Sequence, residues 1–315
     1  MPNCRRRLKA ALGAMEADSS SRAGMGPATR AVIGLVAASA FLSAHAASGG
    51  PSLTHVIFAG VILLALLMLE RWRPVVMFCL PFIILTAAYD MQSFVVAQVI
   101  SMPVHVSELR TWELSWFGIA AAAGRVTPAE WFQTHTTPWL DAVCGLAYMG
   151  FMAVFLAMAV WWRVHERPAE AQTVMWALLW LHLAGYFVHI IYPTAPPWYV
   201  AHYGVEPASR TVPPEAAGAA RFDHLLGISW FANSYSRSAN VFGACPSLHV
   251  GQAFLAVLFA RHFRSLRAIA FIYWMLVTLA SVYLNHHYIV DGLVGMAFAI
   301  GAYSLVRHQP RSLSP

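Results

Sequence analysis

Charged side chains are scarce in this sequence. Only 11% of the 315 residues are Asp, Glu, Lys or Arg, whereas 59% are hydrophobic and the mean hydropathy is +0.57. A soluble domain carries about 25% charged residues, so a chain of this composition cannot cover its whole surface with groups that face water. The composition excludes a soluble globular protein and predicts a membrane protein.

Cysteine is also scarce, and its spacing excludes the common metal-binding patterns. None of the four cysteines forms a C-x-x-C pair or has the spacing of a zinc site or a haem-attachment site. We therefore predict no metal and no other cofactor. Cys144 and Cys245 are both expected near the outer face, where a disulfide is one alternative and two buried thiols are the favoured one.

The sequence is rich instead in long apolar segments. Eight of them approach the roughly 20 residues that a helix needs to cross a bilayer, at about 30–47, 53–69, 74–99, 143–162, 173–192, 246–262, 267–284 and 288–306. The predicted fold is an all-α, polytopic transmembrane bundle of about eight spans. Residues 1–29 are predicted to be a disordered basic tail, 30–307 the transmembrane domain and 308–315 a second tail.

The basic residues indicate how these spans are oriented. With the N-terminus inside, 15 of the 20 Lys and Arg residues fall in inner segments and five in outer loops, as the positive-inside rule requires. We predict an integral membrane protein, of the plasma membrane, with both termini in the cytoplasm. The first segment ends in Ala44-His45-Ala46, which resembles a signal-peptide cleavage site; cleavage would leave seven spans and move no later loop. Because the basic runs are short and lie between apolar segments, nucleic-acid binding is not indicated.

Two outer loops, about 100–142 and 193–245, are long enough to carry function. The first is rich in aromatic residues, which is typical of a segment that lies in the membrane interface. The second is rich in Pro, Gly and Ala, and we expect it to be irregular.

A first candidate for chemistry lies where the second outer loop enters the sixth span, at Cys245-Pro246-Ser247-Leu248-His249. Proline is favoured at the start of a helix, and the free N–H groups of a first turn can bind phosphate. Ser247 adds a hydroxyl donor and His249 a titratable ring. An ordinary helix cap with an interfacial histidine is an equally weighted alternative.

The second candidate lies between the last two spans, at Asn285-His286-His287-Tyr288-Ile289-Val290-Asp291. His287 and Asp291 are four residues apart and share a helix face. The carboxylate can accept the Nδ1 proton of His287, which leaves the other ring nitrogen free to attack. His286 is expected to point elsewhere, and a purely structural His–Asp bond is the alternative.

Both motifs fall on the same, extracytoplasmic side of the predicted topology. This suggests that His287 attacks a phosphorus atom while Asp291 holds its ring. His249 then protonates the leaving alcohol and later activates the acceptor.

These motifs resemble those of the phosphatidic acid phosphatase type 2 superfamily, which are K-x6-R-P, P-S-G-H and S-R-x5-H-x3-D. Pro246-Ser247-Leu248-His249 is similar to the second motif, with Leu248 in place of Gly, and His287 with Asp291 to the third. The resemblance implies a six-helix phosphatase-like core, a phosphohistidine at His287, an orienting Asp291 and a general acid and base at His249.

The departures from these motifs resemble one branch of the superfamily. Ala280 and Ser281 stand where the third motif has Ser and Arg, and the first motif is missing, because Lys9 is the only lysine. In these departures the sequence resembles the fungal-type inositol phosphorylceramide synthases, which also have a Pro-Pro-Trp-Tyr stretch and an H-H-Y-x-x-D motif. That likeness implies a phospholipid donor, a lipid alcohol acceptor, transfer of inositol phosphate and no metal.

Further residues are candidates for substrate binding. Arg237 is our first choice for the cation that replaces the missing Lys and Arg, followed by Arg221 and Arg210. Asp90 within the third span is expected to bind a sugar or inositol hydroxyl or to bond to a neighbouring helix. His189, Trp198 and Tyr199 complete the candidate pocket, although interfacial anchoring would equally explain the last two.

Two other functions remain open from the sequence. A lipid phosphate phosphatase of the same architecture would use water as the acceptor, and the histidine motifs do not separate it from a transferase. A proton- or cation-coupled transporter is the alternative from another class. It is disfavoured because the polar residues gather at one face rather than at midplane.

Overall fold

The computed structural model describes residues 69–99, 102–122, 124–205, 208, 212–238 and 240–308, together with positions 31–36, 38, 39, 42, 43, 56, 59, 60 and 63. The chain divides into two compact units, residues 1–76 and 77–315. Most of the first two predicted spans, the proposed cleavage site at Ala44-His45-Ala46, both predicted tails except His308, and Arg210 lie outside the described residues.

The described part of the chain is mainly helical and contains long apolar helices. Helix α1 is Leu69–Gln98, α4 is Pro138–Met149, α5 is Phe151–His165, α6 is Pro168–Ile191, α10 is Leu248–Phe263, α11 is Arg267–Tyr283 and α12 is Ile289–His308. Within the described residues, α1, α6 and α12 contain stretches long and apolar enough to span a membrane. Helices α4 and α5 meet at Gly150 with a bend of 54° and form a fourth such element if they count as one span. The predicted all-α membrane bundle is confirmed, whereas the count of eight spans stays a prediction.

The two outer loops contain short elements of their own. The first holds α2 (Ser107–Phe117), the antiparallel hairpin β1 (Ile119–Ala121) and β2 (Gly124–Val126), and α3 (Pro128–Gln133). The second holds α7 (Pro197–Tyr203), a 3-10 turn (Ala217–Ala219), α8 (Ala220–Leu226) and α9 (Trp230–Tyr235). The expectation of an irregular second loop was therefore wrong in part. Buried aromatic residues, Trp198 in α7, Phe222 in α8 and Phe231 in α9, anchor these helices, and a count of Pro and Gly does not reveal them.

Helix α10 lies at the centre of the second unit, where it packs against α5, α6, α11 and α12. Its contact with α12 is close because two glycines face each other. A Cβ on Gly295 would overlap the backbone carbonyl of Ser247, and one on Gly251 would lie 2.7 Å from the carbonyl oxygen of Gly295. Small residues let helix backbones approach in this way. The crossing brings the N-terminal ends of α10 and α12, which carry the two candidate motifs, into direct contact.

Candidate active site

The turn before α10 is fixed by backbone and side-chain hydrogen bonds. Ser247 is the N-cap of α10, is fully buried, and its hydroxyl accepts the backbone N–H of Val250 at 3.4 Å. Its own backbone N–H donates to the carbonyl of Asp291 at 2.9 Å. This last bond joins the two motifs directly, since Asp291 lies in the first turn of α12.

Residues at and after the end of α6 hold the same turn from the other side. The buried Thr194 accepts the backbone N–H of Cys245 on its hydroxyl at 2.8 Å. His189 donates from Nε2 to the carbonyl of Pro246 at 3.0 Å. His189 is thus placed at the candidate site, but through the backbone of the motif. Cys144 and Cys245 are both free and buried thiols.

The turn between α11 and α12 has an unusual backbone and is held by both outer loops. Asn285 adopts a left-handed φ of 62°, and the N–H groups of His286 and His287 both donate to the carbonyl of Ser281, at 3.1 and 3.0 Å. Two carbonyls of this turn accept hydrogen bonds from the loops. That of Asn285 accepts the N–H of Trp198 at 3.1 Å, and that of Tyr283 accepts from Arg221 at 3.2 Å and from Gln133 at 3.3 Å.

His287 is buried and its Nδ1 has two oxygen neighbours. The nearer is the carbonyl of Ala244 at 2.9 Å, and the farther is Oδ2 of Asp291 at 3.5 Å. The carboxylate oxygen was expected to be the acceptor of the Nδ1 proton; it accepts instead the backbone N–H of Tyr288 at 2.9 Å. Both oxygens nevertheless favour the tautomer that carries its proton on Nδ1. The Nε2 of His287 makes no hydrogen bond to the described residues.

His249 faces His287 across the junction of the two motifs. Their ring centroids are 5.7 Å apart. The Nδ1 of His249 lies 3.1 Å from the hydroxyl of Tyr148 on α4, and the two rings are stacked at 4.1 Å. Phe151 packs against the imidazole of His249 at 4.3 Å. Both histidines therefore engage Nδ1 and leave Nε2 without a partner among the described residues.

His286 lies next to this pair. The expectation that its ring would point elsewhere was wrong. Its ring stacks on Tyr148 at 5.2 Å and on Tyr235 at 4.6 Å. Burial lowers the pKa of His286 to about 3, so the ring is neutral at physiological pH. A neutral ring between two phenols does not add positive charge beside His249 and His287.

The sequence did not point to Glu113, which proves to be a fully buried carboxylate in the outer helix α2. Its two oxygens accept the backbone N–H groups of Ile289 at 3.0 Å and Val290 at 3.1 Å. Burial raises the pKa of Glu113 to about 7. Leu109 and Glu113 share the buried face of α2, whereas Trp112 and Trp116 are exposed, so hydrophobic periodicity gave no signal for Glu113.

The remaining predicted residues fall into different surroundings. Arg221 is held by Asp141, with Nε to Oδ1 at 2.6 Å, and by Gln133 and Tyr283, so its guanidinium serves the protein structure. Arg237 is exposed just after α9 and makes no side-chain hydrogen bond to His249 or His287 in the described part of the chain. Asp90 lies in α1 beside Tyr89, whose ring packs on Tyr186 of α6 at 6.2 Å.

Trp198 and Tyr199 are both buried, in contact with Val106 and Phe242. They pack between the two outer loops, and Trp198 reaches the α11–α12 turn through its backbone N–H. Their side chains therefore support the site, and no described contact joins them to His249 or His287.

The central and C-terminal parts of the chain match a known protein family. The family model of the PAP2 superfamily matches residues 122–305. The chain belongs to that superfamily. The match includes both histidine motifs and α4, which carries Tyr148.

Named relatives in this PAP2 branch cover most of the chain. The phosphoinositol dihydroceramide synthase of Bacteroides thetaiotaomicron is 31% identical over 272 residues, which are 82% of this chain and 86% of that protein. The inositol phosphorylceramide synthase catalytic subunit of Schizosaccharomyces pombe is 30% identical over 79% of this chain and 62% of its own length. That of Saccharomyces cerevisiae is 34% identical over 56% of this chain and 45% of its own length.

These relatives confirm the predicted superfamily, its inositol phosphorylceramide synthase branch and the predicted class of enzyme, a phosphotransferase. No solved structure matches the chain.

Two positions that depart from the superfamily motifs have clear surroundings in the structure. Leu248, which replaces a glycine, packs against Gly185 of α6, where a Cβ would overlap the leucine side chain. Ser281, which stands in place of arginine, is buried and offers its carbonyl to the turn that carries His286 and His287.

Proposed function

We propose that this PAP2 protein transfers a phosphorylated headgroup, inositol phosphate, from a phospholipid donor to a lipid alcohol. The proposed intermediate is a phosphohistidine at His287. The observation that carries the proposal is the arrangement of His249 and His287, whose rings lie 5.7 Å apart. With both Nδ1 atoms engaged, two Nε2 atoms remain for chemistry on one phosphorus atom.

In the first step, Nε2 of His287 attacks the phosphorus of the donor headgroup. A P–N bond forms, and the P–O bond to the diacylglycerol oxygen breaks. His249, protonated on Nε2, gives its proton to that oxygen, so that diacylglycerol leaves as a neutral alcohol. The Ala244 carbonyl and the Asp291 carboxylate favour a positively charged His287 ring as it forms the new bond.

In the second step, neutral His249 takes the proton from the hydroxyl of the acceptor lipid. The acceptor oxygen attacks phosphorus, the P–N bond breaks, and His287 returns to its starting state with Nε2 free. The phosphorylated headgroup now belongs to the acceptor. Water in the place of the acceptor would make the same site a phosphatase.

The phosphate oxygens need donors, and we propose three sources for them. Ser247 and the N-terminal turn of α10 supply hydrogen-bond donors beside His249. Arg237 supplies the positive charge, because Arg221 is committed to Asp141 and Arg237 follows two residues after Tyr235, which stacks on His286. Asp90 and His189 are proposed for the headgroup hydroxyls.

The names of the relatives support the choice of donor and acceptor. The bacterial relative is a phosphoinositol dihydroceramide synthase and the yeast relatives are inositol phosphorylceramide synthases. We therefore propose phosphatidylinositol as donor and a ceramide-like alcohol as acceptor. The proposed location is the plasma membrane, with the site on the extracytoplasmic face and the termini in the cytoplasm.

Purified protein in vesicles that contain phosphatidylinositol labelled in the inositol tests this proposal. With ceramide added, we expect label to enter a new lipid and diacylglycerol to form in equal amount. Without an acceptor lipid, label should stay in phosphatidylinositol. Release of free inositol phosphate at the same rate with and without ceramide would identify a phosphatase instead.

The His287→Ala variant provides the second arm of that experiment. It should lose transfer entirely and should form no acid-labile labelled adduct with the protein. Transfer at the wild-type rate by a folded His287→Ala protein would rule out the phosphohistidine.

A further inference from the structure

Tyr148 is placed against His249 by two kinds of contact. It is buried near the end of α4, with its ring parallel to the imidazole at 4.1 Å and an angle of 18°. Its hydroxyl is 3.1 Å from Nδ1 of His249. A ring face and a hydrogen bond together leave the imidazole little freedom to rotate.

Tyr148 is itself held on its other side. Its ring also stacks on His286 at 5.2 Å, and His286 in turn stacks on Tyr235 of α9 at 4.6 Å. The backbone next to it is anchored, because Tyr273 of α11 donates its hydroxyl to the carbonyl of Ala147 at 2.7 Å. The phenol therefore belongs to a fixed frame and not to a mobile surface.

We propose that Tyr148 is the positioning residue of His249, and that its oxygen accepts the Nδ1 proton throughout the reaction. A protonated imidazole carries hydrogen on both nitrogens, so in that state Nδ1 of His249 donates and the phenol oxygen, 3.1 Å away, accepts. Nδ1 then keeps its proton in both the neutral and the protonated imidazole. Every proton transfer is confined to Nε2, which is the atom that faces the leaving and attacking oxygens.

The chemistry of the phenol suits this task better than a carboxylate would. A carboxylate beside His249 would favour the protonated imidazole strongly and impair its use as a base in the second step. A neutral phenol oxygen fixes the tautomer without adding charge. No described carboxylate hydrogen-bonds His249, in contrast to His287, which has Asp291 at 3.5 Å.

This inference rests on the proposed function, since it assigns a partner to the proposed general acid and base. The titratable groups near His249 are Tyr148 on α4, His182 and His189 on α6, and His286 and His287 in the α11–α12 turn, with Asp291 on α12 beside His287. All except Tyr148 are unchanged in the test below, so a shift in the pH profile reports on the phenol.

The Tyr148→Phe variant keeps the stacked ring and removes only the acceptor oxygen. In wild type and variant, the steady-state rate of diacylglycerol release is measured against pH and phosphatidylinositol concentration. We expect kcat to fall about 10- to 100-fold, part of the 10²–10⁴ that general acid–base catalysis supplies, with KM for phosphatidylinositol unchanged. The alkaline limb of the profile should move to lower pH, because the protonated imidazole loses an acceptor.

Tyr273→Phe is the matched control. It removes a half-buried tyrosine hydrogen bond to the carbonyl of Ala147, the residue before Tyr148, without touching His249, and its pH profile should be that of the wild type.

The possible results separate cleanly. If the wild-type protein catalysed neither transfer nor hydrolysis, the proposed function itself would be contradicted. An active wild type with a Tyr148→Phe variant of unchanged kcat and pH profile would overturn the positioning role alone. A loss in Tyr148→Phe that Tyr273→Phe reproduces in size and without a pH shift would also overturn it, since it would show a structural effect.

Discussion

The carboxylate of Glu113 reaches the first turn of α12, where its Oε2 accepts the backbone N–H of Val290 at 3.1 Å. The other oxygen accepts the N–H of Ile289 at 3.0 Å. The first N–H groups of a helix have no partner within it, and here a side chain from an outer-loop helix satisfies two of them. Asp291 completes the cap by accepting the N–H of Tyr288. The position of the proposed catalytic helix thus depends on an outer loop.

We predict that Glu113→Ala destabilises the protein and lowers its activity. The N–H groups of Ile289 and Val290 would lose their acceptor, and leaving a donor unsatisfied in this way costs about 1–3 kcal/mol. Thermal unfolding in detergent and the transfer assay measure the two effects. Glu108→Gln on the same helix is the control, because Glu108 is 43% exposed and pairs only with His105 among the described residues. Equal unfolding temperatures for Glu113→Ala and wild type would contradict the capping role.

Glu113 also predicts how stability depends on pH. Burial raises its pKa from 4.5 to about 7, so the folded protein binds this proton more tightly than the unfolded chain does. The associated stabilisation is complete below pH 4.5 and is lost as the pH rises through 7, by about 1–3 kcal/mol. The unfolding temperature should fall between pH 5 and 8 in wild type, and by less in Glu113→Gln. Parallel pH profiles of the two proteins would show that another group causes the fall.

The parts of the site that local patterns encode were predictable from the sequence. His287 and Asp291 are one helical turn apart, and Ser247 and His249 begin a helix after a proline, so spacing alone placed them on faces and ends of helices. The charge asymmetry of the loops then predicts that both motifs lie on one side of the membrane. None of these steps needs knowledge of which helices touch.

The partners of those residues depend on tertiary contacts and were not predictable. Tyr148 lies 101 residues before His249, and nothing in the neighbouring sequence distinguishes it from an ordinary residue of an apolar helix. Ala244 contacts His287 through a backbone carbonyl, which carries no residue-type signal. Glu113 was hidden by an inverted pattern, because its helix exposes tryptophans and buries an acid, whereas hydrophobic periodicity expects the reverse.

We predict that Gly295→Ala separates the two motifs. Its Cβ would overlap the carbonyl of Ser247, which is backbone and cannot move without shifting α10 from α12. The bond between the Ser247 N–H and the Asp291 carbonyl would lengthen, and overpacking of this kind costs about 1–3 kcal/mol. Transfer activity and unfolding temperature should both fall. Gly301→Ala on the same helix has open space around its Cβ and should match the wild type; an identical loss in both variants would refute the close-crossing explanation.

Asp291→Asn should reduce transfer without abolishing it. An asparagine oxygen can still accept the N–H of Tyr288, and the Ala244 carbonyl at 2.9 Å still fixes the proton on Nδ1 of His287. What is lost is the negative charge that favours the charged imidazole, so we expect kcat to fall roughly 10²-fold. His287→Ala, assayed beside it, should show no turnover. Equal inactivity of the two folded variants would show that the carboxylate, rather than Ala244, controls His287.

Two of the outer-loop arginines, Arg221 and Arg237, should respond differently to replacement, because only Arg221 is committed to the protein structure. Arg221 bonds Asp141, Gln133 and the Tyr283 carbonyl, so Arg221→Ala leaves buried acceptors unpaired and should lower the unfolding temperature. Arg237 is exposed, so Arg237→Ala should leave the unfolding temperature unchanged. If Arg237 binds the donor phosphate, its removal should still lower transfer at least tenfold, since charge-assisted hydrogen bonds to phosphate are strong. Arg237→Lys should restore part of that loss. Full activity of Arg237→Ala would assign the phosphate to another donor, and the histidines and the α10 N-terminus would then have to bind it without a guanidinium.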